Sequence, residues 1–289
     1  MSELVITDIH KDFAGKPVLT GVTTTFQEAT IYGLLGRNGV GKSTLMKIIN
    51  NRLRVRRGTI TLDGESVFEN ERAQNRIFLM SDAKLWPSGI KIKQLFKLVG
   101  ELYGSFDTKL AAELARKFRL NVDERLGKQS TGYQTIANLV VALCVPCDFV
   151  FLDEPVLGLD ANHRELFYQE FLATYAMRPR TFVIATHLIE EVSGLLSHVM
   201  VIDRGQVRLD EDTETLQQLG RVVSGPAALV EDYLTDVPVI SSTRLGGMLT
   251  AYTLHAPLQR PLPADVSLDG IQLQRLFIEL TKDGDEDEV

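Results

Sequence analysis

Gly36-Arg37-Asn38-Gly39-Val40-Gly41-Lys42-Ser43-Thr44 sets a lysine and a hydroxyl behind three glycines, in the pattern G-x-x-x-x-G-K-[ST]. An apolar run, Ile31 to Leu35, precedes it, and Leu45-Met46-Lys47-Ile48-Ile49 follows with the pattern of a helix start. A strand, a Gly-rich turn and a helix in that order make a phosphate-binding loop. The glycines let backbone N–H groups converge on phosphate oxygens, and the helix N-terminus adds partial positive charge. In this pattern Lys42 bridges the β- and γ-phosphates and Ser43 gives its hydroxyl to Mg²⁺. The stretch predicts a nucleoside-triphosphate site.

A hydrolysing site also needs a carboxylate for the metal and a group that orients the attacking water. Phe149-Val150-Phe151-Leu152-Asp153-Glu154-Pro155 offers both at the C-terminal end of a buried strand, where α/β sheets hold ligands. Asp153 is the candidate metal ligand and Glu154 the candidate base for water. The competing reading is a plain helix cap followed by a proline turn. A third apolar strand, Thr181 to Ala185, ends in Thr186-His187, and a histidine there can hydrogen-bond a γ-phosphate.

The elements that must position these groups follow from periodicity. Short strands are expected at Leu4–Ile6, Val18–Phe26 and Thr59–Leu62, with a hairpin turn at Asp63-Gly64. From about Trp86 to Leu126 the apolar residues Ile92, Leu95, Phe96, Val99, Leu102 and Tyr103 recur with the helical period. Beyond Asp153 the chain alternates helix (Glu165–Tyr175, Ile189–Leu196) and strand (Phe182–Ala185, Val199–Ile202), the pattern of a largely parallel sheet. Gly220 marks a boundary. After it, Ala227–Leu234 and Leu273–Leu280 look helical, and Val237–Arg244 and Leu249–His255 extended. Asp283 to Val289 is an acidic tail with little to bury, expected to be disordered.

Taken in order, Gly36–Thr44, Ser130-Thr131-Gly132-Tyr133-Gln134, Phe149–Pro155, Gly158-Leu159-Asp160 and Thr186-His187 resemble an ATP-binding-cassette (ABC) ATPase over about Leu4 to Leu219. In that family these are the Walker A loop, signature motif, Walker B strand, D-loop and switch histidine. The resemblance is to stand-alone ATPase subunits of drug- and peptide-exporter type. It implies an α/β fold: a P-loop NTPase core with a parallel sheet, an antiparallel β subdomain and an α-helical signature subdomain at about 86–135. Residues 221–289 would then be a small C-terminal α/β extension, with dimer contact or regulation as its role.

The resemblance further implies ATP and Mg²⁺ as ligands. ATP would be bound by Gly36, Arg37, Asn38, Gly39, Val40, Gly41, Lys42, Ser43 and Thr44, with Asp160 nearby and the metal on Ser43 and Asp153. Lys42, Glu154 and His187 would serve catalysis. Phe13 takes the place of the adenine-stacking aromatic, with core packing as the alternative. Ser130 and the Gly132 N–H would contact the γ-phosphate held by a second subunit. Asp82 stands where the family has its lid glutamine and can still ligate Mg²⁺. The family signature usually reads Leu-Ser-Gly-Gly-Gln, so Gln129, Thr131 and Tyr133 are departures.

A single P-loop without an internal repeat implies two chains per working unit, homodimer or heterodimer. The implied partner is a separate transmembrane permease, its coupling helix received by a groove of the helical subdomain. Trp86 is either a groove contact or a partly buried aromatic. The alternative is a soluble regulatory ABC ATPase with no transport role. DNA-repair relatives need a long coiled coil and ribosome-acting relatives a second cassette, and the sequence has neither.

Composition agrees. The formal net charge is −7 and the pI about 5.4, which argues against a nucleic-acid partner. Arg52, Arg54, Arg56 and Arg57 form the one basic cluster and read as a solvated loop. The most apolar window, Ile136 to Leu152, is broken by Asn138, Pro146 and Asp148, so no bilayer span is expected. Met1-Ser2-Glu3 leads straight into a strand without a signal peptide, which predicts a cytoplasmic protein peripheral to the inner face of the membrane. Cys144 and Cys147, spaced C-x-x-C, are expected to pack rather than react.

Overall fold

The computed structural model describes residues 2–81, 86–256 and 259–280. The chain opens with a long hairpin, β1 (Glu3–Phe13) and β2 (Lys16–Gln27), and then enters β3 (Ile31–Leu35), which feeds the helix α1 (Lys42–Ile49). A hairpin of β4 (Arg57–Leu62) and β5 (Glu65–Ser66) turns at Asp63-Gly64, both with positive φ, the geometry of a type I′ turn. The short α2 (Glu71–Gln74) leads to β6 (Ile77–Met80). Three helices follow: α3 (Ile92–Tyr103), α4 (Thr108–Lys117) and α5 (Thr131–Cys144). Then β7 (Phe149–Asp153), α6 (Ala161–Met177), β8 (Thr181–Ala185) and α7 (Ile189–Val192) alternate as expected. A hairpin of β9 (His198–Asp203) and β10 (Gln206–Asp212) precedes α8 (Thr213–Leu219). The C-terminal part runs β11 (Arg221–Pro226), α9 (Ala227–Tyr233), β12 (Ser241–Leu245), β13 (Met248–Thr253), β14 (Ser267–Gly270) and α10 (Leu273–Leu280).

Three sheets result. The central one has six strands in the order β10-β9-β3-β8-β7-β6, all parallel except the edge strand β10. Both faces of this sheet are buried, and alternate residues of each strand go to different cores. Ile31, Leu35, Val150, Leu152, Val199 and Val201 face α3, α4, α5 and α6. Tyr32, Leu34, Phe149, Phe151, Met200 and Ile202 face α1 and the antiparallel sheet β2-β1-β4-β5, which contributes Leu4, Ile6 and Phe26. Thus α1 and α5 lie on opposite faces of the sheet.

The third sheet, β12-β13-β11-β14, is antiparallel. One of its faces, with Val223 and Ala251, packs on α9 in a small core of its own. The other, with Val222 and Tyr252, joins Ile271 and Leu276 in the larger cassette core.

Several expectations need correcting. The region 86–126 is not one helical run, because Gly104 to Asp107 separates α3 from α4. The helix expected at 189–196 stops at Val192, where Ser193-Gly194 follow. The strand expected from Val237 begins only at Ser241. Arg52, Arg54, Arg56 and Arg57 are all exposed, although the Arg52 guanidinium also donates to Leu79 O at 3.0 Å and Ser81 Oγ at 3.3 Å. Trp86 is half-buried against the larger core and donates its indole N–H to Asn138 Oδ1 at 3.1 Å. The acidic tail lies outside the described residues. Among them no helix is long and apolar enough to cross a membrane.

Two buried groups tie elements together. Arg180, 4% exposed, precedes β8 and donates to the carbonyls of Ala142 (3.2 Å), Leu143 (2.6 Å), Val145 and Cys147 (3.5 Å) at the C-terminal end of α5. Burial pushes its pKa down to about 10, so it stays a cation at neutral pH, suited to the negative end of a helix dipole. Cys144 and Cys147 beside it are free thiols. Burial pushes both upward, Cys147 to about 12, so neither is a ready thiolate.

His198, at the start of β9, sits between two carboxylates, with Nε2 2.7 Å from Asp210 and Nδ1 2.9 Å from Asp212. A neutral imidazole carries one N–H, so bonding through both nitrogens calls for the imidazolium. Burial alone would lower its pKa, but hydrogen bonds to Asp210 and Asp212 outweigh this and hold it above the ordinary 6.5. A raised folded-state value means that the contribution is complete below the unfolded pKa and is lost as pH rises through the folded one. His198→Gln should therefore cost about 1–2 kcal/mol at low pH, with the gap to wild type closing as the solution is made alkaline. Urea unfolding midpoints across that range check it, and a gap independent of pH contradicts it.

Candidate nucleotide site

The predicted chemistry gathers at the C-terminal ends of β3, β7 and β8, three neighbouring parallel strands. Behind β3 the loop turns into α1 through Gly41, which has φ +114°, a conformation side chains rarely adopt. A Cβ at Gly41 would meet Leu19 Cδ2 at 2.5 Å, and one at Gly36 would meet Ile202 O at 2.5 Å. Both positions therefore demand glycine for closeness as well as for torsion. No side chain caps α1, so its first N–H groups face the loop's concavity as anion donors.

Lys42 is 6% exposed, and its ammonium donates to Gly36 O at 2.6 Å and Arg37 O at 3.1 Å. Burial pushes its pKa down, while the carboxylates of Glu154 and Asp153 push back. This is a desolvated cation facing two acids, resting on loop carbonyls. Arg37, Asn38 and Gly39 are exposed, and Val40, Ser43 and Thr44 half-buried.

Asp153 closes β7 and is 8% exposed, beside α1, which packs against that strand. The Ser43 hydroxyl and the Asp153 carboxylate are hard oxygen donors on two packed elements. That pair suits Mg²⁺, which keeps waters and phosphate oxygens in its remaining positions.

Glu154 has φ +49°, unusual for a residue with a side chain, and its N–H donates to Ala185 O at 2.8 Å. Its two carboxylate oxygens are both engaged. Oε1 lies 3.0 Å from His187 Nδ1, and Oε2 accepts from the Thr186 hydroxyl at 3.2 Å. Thr186 Oγ1 in turn accepts the Leu188 N–H at 3.0 Å. Glu154 and His187, 33 residues apart, thus form one unit with a buried threonine between them. Thr186 was not singled out as a site residue. The signal available was its β-branched hydroxyl directly before the histidine at a strand end.

Ser130 is exposed and caps α5, its hydroxyl accepting from the Tyr133 N–H at 3.4 Å. Gly132 abuts the D-loop, for a Cβ there would lie 3.2 Å from Gly158 O. The unusual Tyr133 packs edge-on against His163 (5.7 Å between centroids), and His163 Nδ1 is 2.8 Å from Asp160. Asp160 also accepts the His163 N–H at 2.9 Å and so caps α6, a structural use beside the predicted one. Phe13, at the end of β1, is 46% exposed, with the Lys11 ammonium 5.1 Å from its ring centroid. Asp82 lies outside the described residues.

Comparison with known proteins gives the family. The profile of the ABC transporter family matches residues 19–157. The Nod factor export ATP-binding protein I of Burkholderia lata is 30% identical over 206 residues, covering 69% of this chain and 67% of that protein. The ribose import ATP-binding protein RbsA of Bacillus subtilis is 26% identical over 216 residues, covering 71% of this chain and 44% of that protein. A solved ATP-binding subunit of an ABC transporter superposes with a TM-score of 0.68 at 21% identity, covering 74% of this chain and 92% of its own. Sequence and fold agree, and the chain belongs to the ABC transporter ATP-binding proteins, a family of ATP hydrolases.

Proposed function

We propose that the chain is the ATPase subunit of an ABC exporter, which binds and hydrolyses MgATP between two subunits and drives a separate membrane permease. The observation that carries the two-subunit reading is the placement of α1 and α5 on opposite faces of the six-stranded sheet, with Ser130 exposed at the free end of α5. Ser130 then serves the ATP of a second chain, and two chains form two shared sites. Gly36 to Thr44 cradle the phosphates, Phe13 stacks on the base, and Lys42 leaves its loop carbonyls for the β- and γ-oxygens. Ser43 and Asp153 would hold a metal ion, which would neutralise charge on the phosphate oxygens. Glu154 orients the water. His187, with Nδ1 toward Glu154, has Nε2 left for the γ-phosphate, and donating there as well calls for its imidazolium form.

A groove of about 540 Å³ between α3 and α4, floored by Phe96, Phe106, Ala111 and Ala115 and rimmed by Lys93, Lys97 and Arg116, supports docking of a permease helix. Export is the direction favoured, since relatives named for export share 28–30% identity and those named for import 26–28%. The cassette is assigned to residues 1–220 and the extension to residues 221–289.

Lys42→Ala should abolish tight MgATP binding and leave the fold intact; near wild-type affinity by calorimetry refutes the loop's role. Glu154→Gln keeps size but loses the carboxylate, so turnover should fall by roughly 10²-fold or more while ATP holds a dimer visible by size exclusion. Normal turnover in that variant would move the base elsewhere. Ser130→Glu should block ATP-driven dimerisation and leave ATP binding to the monomer nearly unchanged. Loss of monomer binding there would place Ser130 in its own chain's site and remove the shared-site mechanism.

A further inference from the structure

The C-terminal extension reaches the element that follows His187. Its last helix, α10, packs against α7, the single turn that begins two residues after His187. Leu276 (1% exposed) belongs to the same apolar core as Ile189 and Val192, and Leu273, Phe277 and Leu280 are half-buried against that core. Polar contacts fix the helix from its other side. Glu279, 2% exposed, accepts from the Ser241 hydroxyl at 2.5 Å and pairs with Arg275 at 2.6 Å, while Arg275 Nε donates to the Tyr252 hydroxyl. Thus α10 is locked to the third sheet and presents its apolar side to α7.

From α7 the path to the reacting groups is short. The Leu188 N–H, at the N-cap of α7, donates to Thr186 Oγ1, and Thr186 donates to Glu154 Oε2. His187 lies between these two residues and faces Glu154 Oε1. On its other side α7 is held by α6, through Arg164 and Tyr168 on Glu191. A four-residue helix has no stability of its own, so its position depends on these two neighbours.

We propose that α10 is a positioning element for hydrolysis: it buttresses α7 and so holds His187 and Thr186 on Glu154, setting turnover far more than nucleotide affinity. The inference rests on the reading that Glu154 and His187 form the hydrolytic pair. Gly36 to Thr44, which bind the phosphates, form the loop after β3 and the first turn of α1 rather than any part of α7, so they lie outside this path. The extension is thereby a control point, since anything that lifts α10 from α7 loosens the pair.

A double-mutant cycle on the full chain tests this, with Phe277→Ala and the milder Phe277→Leu against His187→Ala. ATP affinity is measured by calorimetry, kcat and KM by steady-state ATPase assay, and the folded fraction by circular dichroism. Phe277→Ala should lower kcat roughly 5- to 20-fold with KM and ATP affinity within about twofold of wild type. Phe277→Leu should fall between, and this milder variant carries the test if the alanine does not fold. In the His187→Ala background each change should lower kcat by much less than in wild type, because only Thr186 is left on Glu154. An equal loss in both backgrounds, an unchanged kcat, or a loss of ATP affinity overturns the proposal. Wild-type turnover in His187→Ala alone marks failure of the underlying pair instead, and removes the buttress with it.

Discussion

Burying both faces of a parallel sheet makes every strand residue belong to one of two cores, and the rest of the molecule follows from that sorting. In β3, β7 and β9 the residues alternate between the side that receives α1 and the side that receives α5. A one-residue slip in any of these strands would exchange the two populations, so the register is strongly specified. The parallel register also brings the strand ends level, with Asp153 opposite Ala185 and Leu34 opposite Ala185 on the other flank. The loop, the acids and the histidine therefore converge without any of them needing long-range contacts of its own. The same sorting separates Ser130 from Lys42, which is why the proposed site is completed by a second chain.

Within that frame Glu154 is held by local strain and by three hydrogen-bonded contacts. Glu154 adopts positive φ, fixed by its N–H on Ala185 O, and both carboxylate oxygens are engaged from the end of β8. Strain of this kind persists where the surroundings over-determine it, and it turns the side chain back toward the neighbouring strand rather than outward as an ordinary cap would. Of the unusual signature residues, Tyr133 is accounted for by packing: it leans on His163, and His163 is tied to Asp160 at the head of α6.

Much of this was legible in the residues. Continuous apolar runs bounded by turn signals named β3, β7 and β8, and the chemistry attached to their ends followed from residue type. Less legible were elements whose pattern is weak or ambiguous. The strand β11 ends in Gly225-Pro226, which reads as a turn, and β14 is polar because it lies at a sheet edge. The second strand of the β9–β10 hairpin is charged along its length and reads as loop. Contacts between distant segments, such as Thr186 on Glu154, Trp86 on Asn138 or α10 on α7, have no periodic signature and emerge only with the tertiary fold.

Arg180 gives α5 an unequal pair of ends. Four backbone carbonyls at its C-terminus and in the loop beyond converge on one buried guanidinium, and Phe182 lies 4.9 Å beneath it. The opposite end finishes in an exposed serine. Fourteen residues at 1.5 Å each make an arm about 21 Å long. With its fulcrum beside β8, each degree of tilt carries Ser130 about 0.4 Å, so a rotation too small to disturb the sheet moves the signature by the difference between a hydrogen bond and none.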